Sequence, residues 1–130
     1  MVSPEHTSLF DELGGEPALR AIIADFVGRM FADMMIGFFF RNSDQRRIAE
    51  LEYQHAAEHL GGPVKYRGKP LGQAHGPHRI MGGQFNRRRE LLRKTLVDHK
   101  APERVIAAWL AHNDALRGQI TGDQTGECIG

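Results

Sequence analysis

The stretch YRGKPLGQAHGPHRI, residues 66–80, interrupts a sequence that otherwise has the periodicity of helices. It contains five glycine or proline breaks, at Gly68, Pro70, Gly72, Gly76 and Pro77. A glycine costs about 1 kcal/mol and a proline about 3 kcal/mol in a helix interior, so this stretch cannot form a long regular helix. It nevertheless carries two histidines, His75 and His78, which a plain polar linker would not need.

The composition is that of one folded domain. The chain has 130 residues, of which 41% are hydrophobic and 25% charged, so we expect a single domain over 1–130. The net charge is +1, and the basic stretch at 87–94 lacks interleaved aromatic residues, so we expect a solvated helix face and no nucleic-acid partner. No apolar run is long enough to cross a bilayer, which predicts no membrane partner.

The ends of the chain indicate a cellular compartment. The N-terminal residues lack the basic stretch and apolar run of a signal peptide. The one cysteine, Cys128, has no intramolecular partner. We therefore expect a cytoplasmic protein, with a disordered tail over 121–130.

Glycines and capping residues divide the first half of the chain into helices. Ser8 and Asp11 form a capping box before LFDEL, which Gly14-Gly15 ends. Pro17 suits the start of a second helix. Its core-facing residues recur at helical spacing: Leu19, Ile22, Ile23, Phe26, Val27 and Met30. The following MMIGFFF, residues 34–40, predicts a tight corner with its aromatic rings turned inward.

Three further helices follow the corner. Ser43 caps a third helix over about 44–60, which Gly61-Gly62-Pro63 ends. A fourth covers about 82–98, and a fifth begins at Pro102 and carries apolar residues as far as Ile120. No segment alternates like a strand, so the predicted fold class is all-α.

The third helix has two faces of different character. At 100° per residue, small and apolar residues form one flank suited to close packing: Ala49, Tyr53, Ala56, Ala57 and Leu60. A second face begins with apolar residues and then offers a carboxylate and two imidazoles: Ile48, Leu51, Glu52, His55 and His59. Such a face either meets water or lines a cavity with chemistry in it.

Several metal and catalytic patterns are incomplete. Glu52-x-x-His55 has the spacing of a di-iron helix, but the second such motif is missing. His55 with His59, or His75 with His78, could share a zinc ion, but neither pair has the surrounding motif of a known zinc site. A Ser/His/Asp triad has no nucleophile elbow here, and the phosphate-binding and dinucleotide-binding fingerprints are absent.

Haem requires three features that this sequence predicts: a histidine on a loop that faces a cavity, an aromatic corner, and surrounding apolar helices. Its iron takes an axial imidazole, and its porphyrin requires a flat apolar slot. The segments LFDELGGEPALRAIIADFV, LGGPVKYRGKPLGQAH and RIMGGQF resemble those of the truncated, two-on-two haemoglobins, most closely the first group. The resemblance covers about residues 8–120. It implies a globin-like two-over-two helical sandwich whose proximal helix is reduced to a loop.

The resemblance also implies which residues contact the cofactor, haem b. His75 falls at the position of the proximal histidine, the metal ligand, and the glycines and prolines let the loop bring it under the iron. Propionate contacts fall to Arg47, Tyr66 and His78. The slot is lined by Phe40, Ile48, Leu51, Glu52, Leu71, Ile80 and Phe85.

On the distal side the sequence departs from the family. Where the family usually has a tyrosine in the second helix this chain has Val27, and where a glutamine often lies it has Glu52. Arg88 occupies a position that is normally apolar or tryptophan, and His55 replaces a large apolar residue. Either Glu52, His55 and Arg88 form a polar distal pocket, or Arg88 extends to water and pairs with Glu52 at the pocket rim.

Three functions follow. The first is a haem globin that reversibly binds oxygen, nitric oxide or carbon monoxide, with a reductase as a candidate partner. The second is a haem enzyme with peroxidase-like or nitrogen-oxide chemistry, for which Glu52, His55 and Arg88 are the candidate catalytic residues. The third is a haem-free globin that serves as an interaction or sensor module. An intact His75 disfavours the third function.

Overall fold

The computed structural model describes residues 8–68 and 82–116, which form five α-helices and one 3₁₀ turn. The helices are α1 (Leu9–Leu13), α2 (Gly15–Ala32), α3 (Gln45–His59), α4 (Gly82–Asp98) and α5 (Glu103–Ala115), and the 3₁₀ turn at Gly37–Phe40 lies between α2 and α3. Neither of the two described ranges contains a strand. The all-α prediction is confirmed.

The helix ends follow local side-chain chemistry. The Ser8 hydroxyl accepts a hydrogen bond from the Asp11 amide at 3.0 Å, as the predicted capping box requires. Gly14 then ends α1 with a φ of 122°, a backbone angle that favours glycine. The next helix, α2, begins at Gly15, two residues before the predicted start at Pro17, because a proline is accommodated anywhere in the first turn.

The predicted cap of α3 is wrong by one residue. The cap is Asp44, whose Oδ1 accepts from the Arg46 amide at 3.0 Å, and Ser43 precedes it. Both residues have side chains that cap helices, so their order in the sequence did not decide between them. At the other end, Gly61 has a φ of 88°, which explains the glycine there.

One apolar core joins the five helices. The second helix packs against α1, α3 and α4, and α5 packs against α1 and α4. The six residues of α2 predicted to face the core are all buried, as are Tyr53, Ala56 and Ala57 of α3. The other helices contribute Phe10, Leu91, Leu92, Leu96, Val105, Trp109 and Leu110.

The corner between α2 and α3 departs in part from its prediction. Ile36 is buried, and the rings of Phe39 and Phe40 are partly buried. Phe38 is 49% exposed, however, and Met34 is 98% exposed. The prediction of inward-turned rings is therefore wrong for Phe38, because a 3₁₀ turn of three consecutive phenylalanines cannot direct all three rings to one side.

Of the helices in the described ranges, none combines the length and the apolar character that a membrane crossing requires.

Candidate functional site

The chemistry-bearing face of α3 changes from apolar to polar along its length. Ile48 and Leu51 are partly buried near the start of the face, and Ile48 packs against the main core. Glu52 follows, then His55 and His59, each three or four residues further on, so the side chains lie on the same side of the helix. The face therefore offers an apolar surface beside a row of titratable groups.

An ion pair with Glu52 holds Arg88 of α4 against this face. Its Nη2 lies 3.0 Å from both carboxylate oxygens of Glu52. The arginine side chain is only 11% exposed and that of Glu52 is 24% exposed. The two residues therefore pair, as in the rim alternative, but Arg88 is nearly buried and does not extend to water as that alternative required.

Two further contacts fix the guanidinium of Arg88. Its Nη1 donates to Oδ1 of Asn113 on α5 at 2.6 Å, and its central carbon lies 5.1 Å from the ring centroid of Phe26 on α2. A nearly buried arginine is stable only when its donors are paired, and here Glu52 and Asn113 pair them. The cation is thus held by side chains from three neighbouring helices.

Three histidines bridge α3 and α5 beside this arginine. The rings of His59 and His112 stack with centroids 3.6 Å apart and planes at 13°, and the ring of His55 lies 5.3 Å from that of His112. Burial lowers the pKa of all three imidazoles below the ordinary value of 6.5, and lowers that of His112 to about 4. The three rings are therefore neutral at pH 7. We call His55, His59 and His112 the histidine cluster.

The segment after α3 returns along the same face. The amide of Tyr66 donates to Glu58 Oε1 at 2.9 Å, and the Tyr66 ring meets His55 edge-on at 5.3 Å between centroids. Burial, and secondarily the negative charge of Glu52, raise the pKa of the Tyr66 phenol. At Gly68 a Cβ atom would lie 2.5 Å from the Tyr66 hydroxyl and 2.9 Å from Leu51 Cδ2, so a larger residue there would require these two side chains to shift. Tyr66, Leu51 and Glu52 are consequently close neighbours.

Aromatic side chains form the other apolar surface. Phe40 stacks on Phe31 with centroids 5.0 Å apart, and Phe39 stacks on Phe38 at 4.2 Å. Phe85 of α4 is 1% exposed and packs against Phe39. The predicted contacts of Phe40 and Phe85 with a cofactor remain predictions, as does the role of Arg47, whose side chain is exposed.

Four of the predicted site residues lie outside the described ranges: Leu71, His75, His78 and Ile80. The predicted bond from His75 to iron is therefore untested by the structure. The structure brings Glu52, His55 and Arg88 together, as one of the two alternatives from the sequence had it, and adds Tyr66, which the sequence had assigned to a propionate. The orientation of these four side chains toward a cofactor stays a prediction.

Sequence reasoning missed two residues of this site, His112 and Asn113. For Asn113 the sequence did contain a signal. This polar residue lies four residues after the buried Trp109 and three before Leu116, within the apolar stripe of α5. A polar residue in such a stripe, itself only 4% exposed, needs a partner. Its partner Arg88 lies 25 residues away in sequence, on another helix, and only the folded chain reveals it.

The described residues fit a flat, largely apolar cofactor of the haem type. Ile48, Leu51, Phe39 and Phe40 are each only partly buried, so apolar surface remains on α3 and at the corner. The polar groups lie beyond this surface, at Glu52 and Arg88. Haem presents a broad apolar plane with polar groups at the propionates and at the iron, which matches such a distribution.

Comparison with known proteins identifies the family. Residues 8–121 match the bacterial-like globin family, and the chain belongs to it. A group 1 truncated hemoglobin of Mycolicibacterium paratuberculosis is 34% identical over 71 residues, 55% of this chain and 52% of the relative, so the match spans about half of that protein. A group 1 truncated hemoglobin of Tetrahymena thermophila is 27% identical over 99 residues, 76% of this chain and 82% of the relative.

Solved structures agree with this assignment. The truncated hemoglobin from Tetrahymena pyriformis in its Fe(III) form superimposes with a TM-score of 0.79 at 27% identity, over 87% of this chain and 97% of that one. The 2/2 hemoglobin from a Synechococcus species, whose heme is covalently attached, gives a TM-score of 0.82 at 22% identity, over 88% and 98% of the two chains. At that identity the second comparison shows the fold alone. The two-over-two globin fold and the resemblance to the first group of truncated haemoglobins are confirmed, and globin membership implies haem as the class of cofactor.

Proposed function

We propose that this chain binds haem b through His75 and reversibly binds a diatomic ligand, oxygen, nitric oxide or carbon monoxide, at the distal iron site. The observation that carries the proposal is the α3 face, on which partly exposed apolar residues, Ile48 and Leu51, lie next to the fixed Glu52–Arg88 pair. Membership of a globin family supports the same reading.

The chain's own residues have distinct tasks in this proposal. Haem, when bound, would supply an iron atom that can bind a diatomic ligand. The side chains that pack against its plane are Phe40, Ile48, Leu51, Leu71, Ile80 and Phe85. Arg47, Tyr66 and His78 meet the propionates, and the Glu52–Arg88 pair controls the polarity of the ligand side.

Reversible oxygen binding needs ferrous iron, so the proposal includes a reductase as a partner that keeps the iron reduced. The proposed location is the cytoplasm. The single cysteine fits a reducing compartment.

Titration of the purified full chain with haemin tests the proposal. We expect a Soret band whose absorbance saturates near one equivalent of haem. Addition of carbon monoxide to the reduced protein should shift that band, and removal of the gas should reverse the shift. Absence of a Soret band after reconstitution would contradict haem binding and leave the haem-free globin as the remaining function.

A second candidate function, peroxide or nitrogen-oxide chemistry, is favoured by one specific observation. Arg88 is a nearly buried cation fixed by Glu52 and Asn113, with the imidazole of His55 on the same helix face as Glu52. Such chemistry uses a base that moves a proton and a fixed cation that stabilises developing negative charge. Glu52 or His55 would supply the base, and Arg88 the cation.

Replacement of Glu52 distinguishes the two candidates. In the enzyme, Glu52→Gln should remove or shift the pH dependence of ferric ligand binding and of peroxide reactivity while the haem stays bound. Glu50→Gln is a matched control, because Glu50 lies on the same helix but pairs with Arg20. If the Glu52→Gln profile overlays that of the wild type, the enzymatic candidate loses its main support and a ligand-binding globin remains.

A further inference from the structure

The histidine cluster forms a joint between α3 and α5 that the haem proposal does not use. His55 and His59 come from α3, and His112 comes from α5. The stack of His59 on His112, with ring centroids 3.6 Å apart, is closer than that of the other aromatic pairs in the described part of the chain. Two imidazoles at this distance can be accommodated while neutral, but two imidazolium cations would repel each other strongly.

The cluster contains ring nitrogens with unused hydrogen-bonding capacity. Nε2 of His59 and Nε2 of His112 are both buried, and neither has a hydrogen-bond partner. Within the two described ranges, no three His, Cys, Asp or Glu side chains are placed to hold a metal ion, so we do not assign these nitrogens to a metal. A buried imidazole nitrogen without a partner is a site that can accept a proton when the pH falls.

The charged and titratable groups that face the cluster come from four elements. On α3, Glu52 and Glu58 favour protonation of His55. On α4, Arg88 opposes it, and on α5 the cluster's own His112 is the titratable group. The segment after α3 contributes the phenol of Tyr66, which is neutral at these pH values. Among these charges, Glu52 and Arg88 influence the pKa of His55 most, and these two residues form the ion pair with each other.

Glu52 therefore has two possible cationic partners. His55 lies three residues after Glu52 on the same face of α3, which brings their Cβ atoms within about 5–6 Å. When His55 is neutral, only Arg88 offers a positive charge to the carboxylate. When His55 is protonated, it competes with Arg88 for Glu52 and also repels the guanidinium. Protonation of His55 thus weakens the pairing of Arg88 with Glu52. By the same amount of free energy, that pairing disfavours protonation of His55.

Protonation of His59 or His112 also acts on Asn113, the second hydrogen-bond partner of Arg88. Asn113, which accepts the hydrogen bond from Arg88 Nη1, directly follows His112 on α5. Separation of the His59–His112 stack would move the last turn of α5, and Asn113 with it, away from α3. Both anchors of Arg88 are consequently adjacent to a histidine of the cluster.

We propose that the histidine cluster is an acid-operated release for Arg88. In acid, protonated His55 pairs with the Glu52 carboxylate in place of Arg88. The rings of His59 and His112 separate, and Arg88 leaves its buried position. Burial lowers the pKa of each of the three imidazoles below 6.5, so the release belongs to mildly acidic conditions rather than to neutral pH. The proposal does not depend on haem.

Side-chain hydrogen exchange of Arg88, followed by NMR on the full chain and assigned with an Arg88→Lys variant, tests the proposal. Exchange of unprotected arginine N–H groups is catalysed by hydroxide and slows as the pH falls. An exchange rate of the Arg88 N–H groups that rises relative to this reference in acid therefore reports loss of protection. We expect protection of the Arg88 N–H groups at pH 7 and a rise in the opening equilibrium of about tenfold or more by pH 5. Arg29 of α2, which pairs with Asp25 on the same helix and with Asp98 on α4, should remain protected over the same range.

Variants of the cluster identify the groups responsible. His55→Gln should abolish the acid release, and His112→Phe, which keeps a flat ring in the stack, should reduce it. His99→Gln is the matched control, because His99 contacts Asp25 at the far end of α4. If His55→Gln does not fold, His112→Phe carries the test.

Three outcomes would overturn the proposal: protection of Arg88 that persists to pH 5, release of Arg88 and Arg29 together, or an unchanged acid transition in the folded cluster variants. When a Soret band is present, the measurement is made on the ferrous carbon monoxide form, which is diamagnetic. A chain without a Soret band contradicts the proposed function, but the exchange of Arg88 can still be measured on it, so the two failures are distinguishable.

Discussion

Arg88 is the residue on which the polar part of the site depends. It lies in a helix whose exposed face is rich in arginine, and the sequence alone allowed it to extend to water. The structure pairs its guanidinium with Glu52 and Asn113 and leaves it 11% exposed. A charge in such a position costs free energy unless its donors are satisfied, so the partners of Arg88 should matter more to stability than those of exposed arginines.

Removal of Asn113 tests this dependence. Asn113→Ala leaves an Nη1 donor of Arg88 without its acceptor, which should lower the free energy of unfolding by about 1–3 kcal/mol. Asn42→Ala is the control, because Asn42 is exposed and its loss should change stability by no more than about 0.5 kcal/mol. Urea unfolding of both variants gives the comparison, and equal stabilities would show that the Asn113 contact is unimportant.

Val27 should determine how weakly the protein holds oxygen. Val27 is completely buried in α2, at the position where the resemblance to truncated haemoglobins implies a hydrogen-bonding tyrosine. A hydrogen bond to a partly negative ligand contributes about 1.5–3 kcal/mol, so Val27→Tyr should slow oxygen dissociation about tenfold or more. Val27→Phe adds the same ring without the hydroxyl. If both variants release oxygen at the same rate in stopped-flow measurements, the hydroxyl has no such role.

At the scale of the elements, periodicity and glycines carried most of the information. The bounds of α1 and α4 follow directly from the sequence, and the core face of α2 was correct at all six positions. These features depend on residues close in sequence, which is why they could be read in advance. The contacts of His112 and Asn113 depend on the packing of α5 against distant helices, and no local pattern specifies them.

Short-range competition between similar side chains explains the remaining differences. Ser43 and Asp44 can both cap a helix, and the order in which they occur does not reveal which one accepts the hydrogen bond. The exposed ring of Phe38 likewise reflects the geometry of the turn rather than its composition. Sequence reasoning therefore found the elements and misjudged details that depend on a single backbone angle.

The cap of α3 can be tested by two neighbouring substitutions. Asp44→Ala removes the acceptor of the Arg46 amide and should lower the free energy of unfolding by about 0.5–2 kcal/mol. Ser43→Ala should have an effect of less than about 0.5 kcal/mol, since it does not cap the helix. Thermal or urea unfolding measures both, and a larger loss for Ser43→Ala would restore the original assignment of the cap.

At the scale of the whole molecule, the structure predicts that stability declines in mild acid. In the folded chain burial lowers the pKa of His55, His59 and His112 below 6.5, whereas in the unfolded chain the three imidazoles have the ordinary pKa. The unfolded state therefore binds more protons as the pH falls from about 6.5 toward 4, and the stability contributed by these groups is lost over that window. A hydrogen bond from Arg29 lowers the pKa of Asp25, whose contribution is lost only at still lower pH.

His112→Phe separates the cluster from this general trend. The variant keeps a flat ring but cannot bind a proton, so the fall in unfolding free energy between pH 6.5 and 4 should be smaller by at most about 3 kcal/mol. Urea midpoints at several pH values measure the slope. An identical slope in the variant and the wild type would mean that His112 titrates alike in the folded and unfolded chains.

The proposed binding of haem depends most directly on one residue of the stretch 66–80, His75. The proposed bond from His75 to iron would account for a histidine in a stretch broken by five glycines and prolines. The absorbance spectrum of haem-reconstituted His75→Ala, beside those of His78→Ala and His55→Ala, is the most direct measurement. We predict that His75→Ala loses stable haem, or regains its spectrum only with added imidazole, while the other two variants keep a Soret band like that of the wild type. A His75→Ala variant with an unchanged spectrum, together with loss of haem in another single histidine variant, would contradict the assignment.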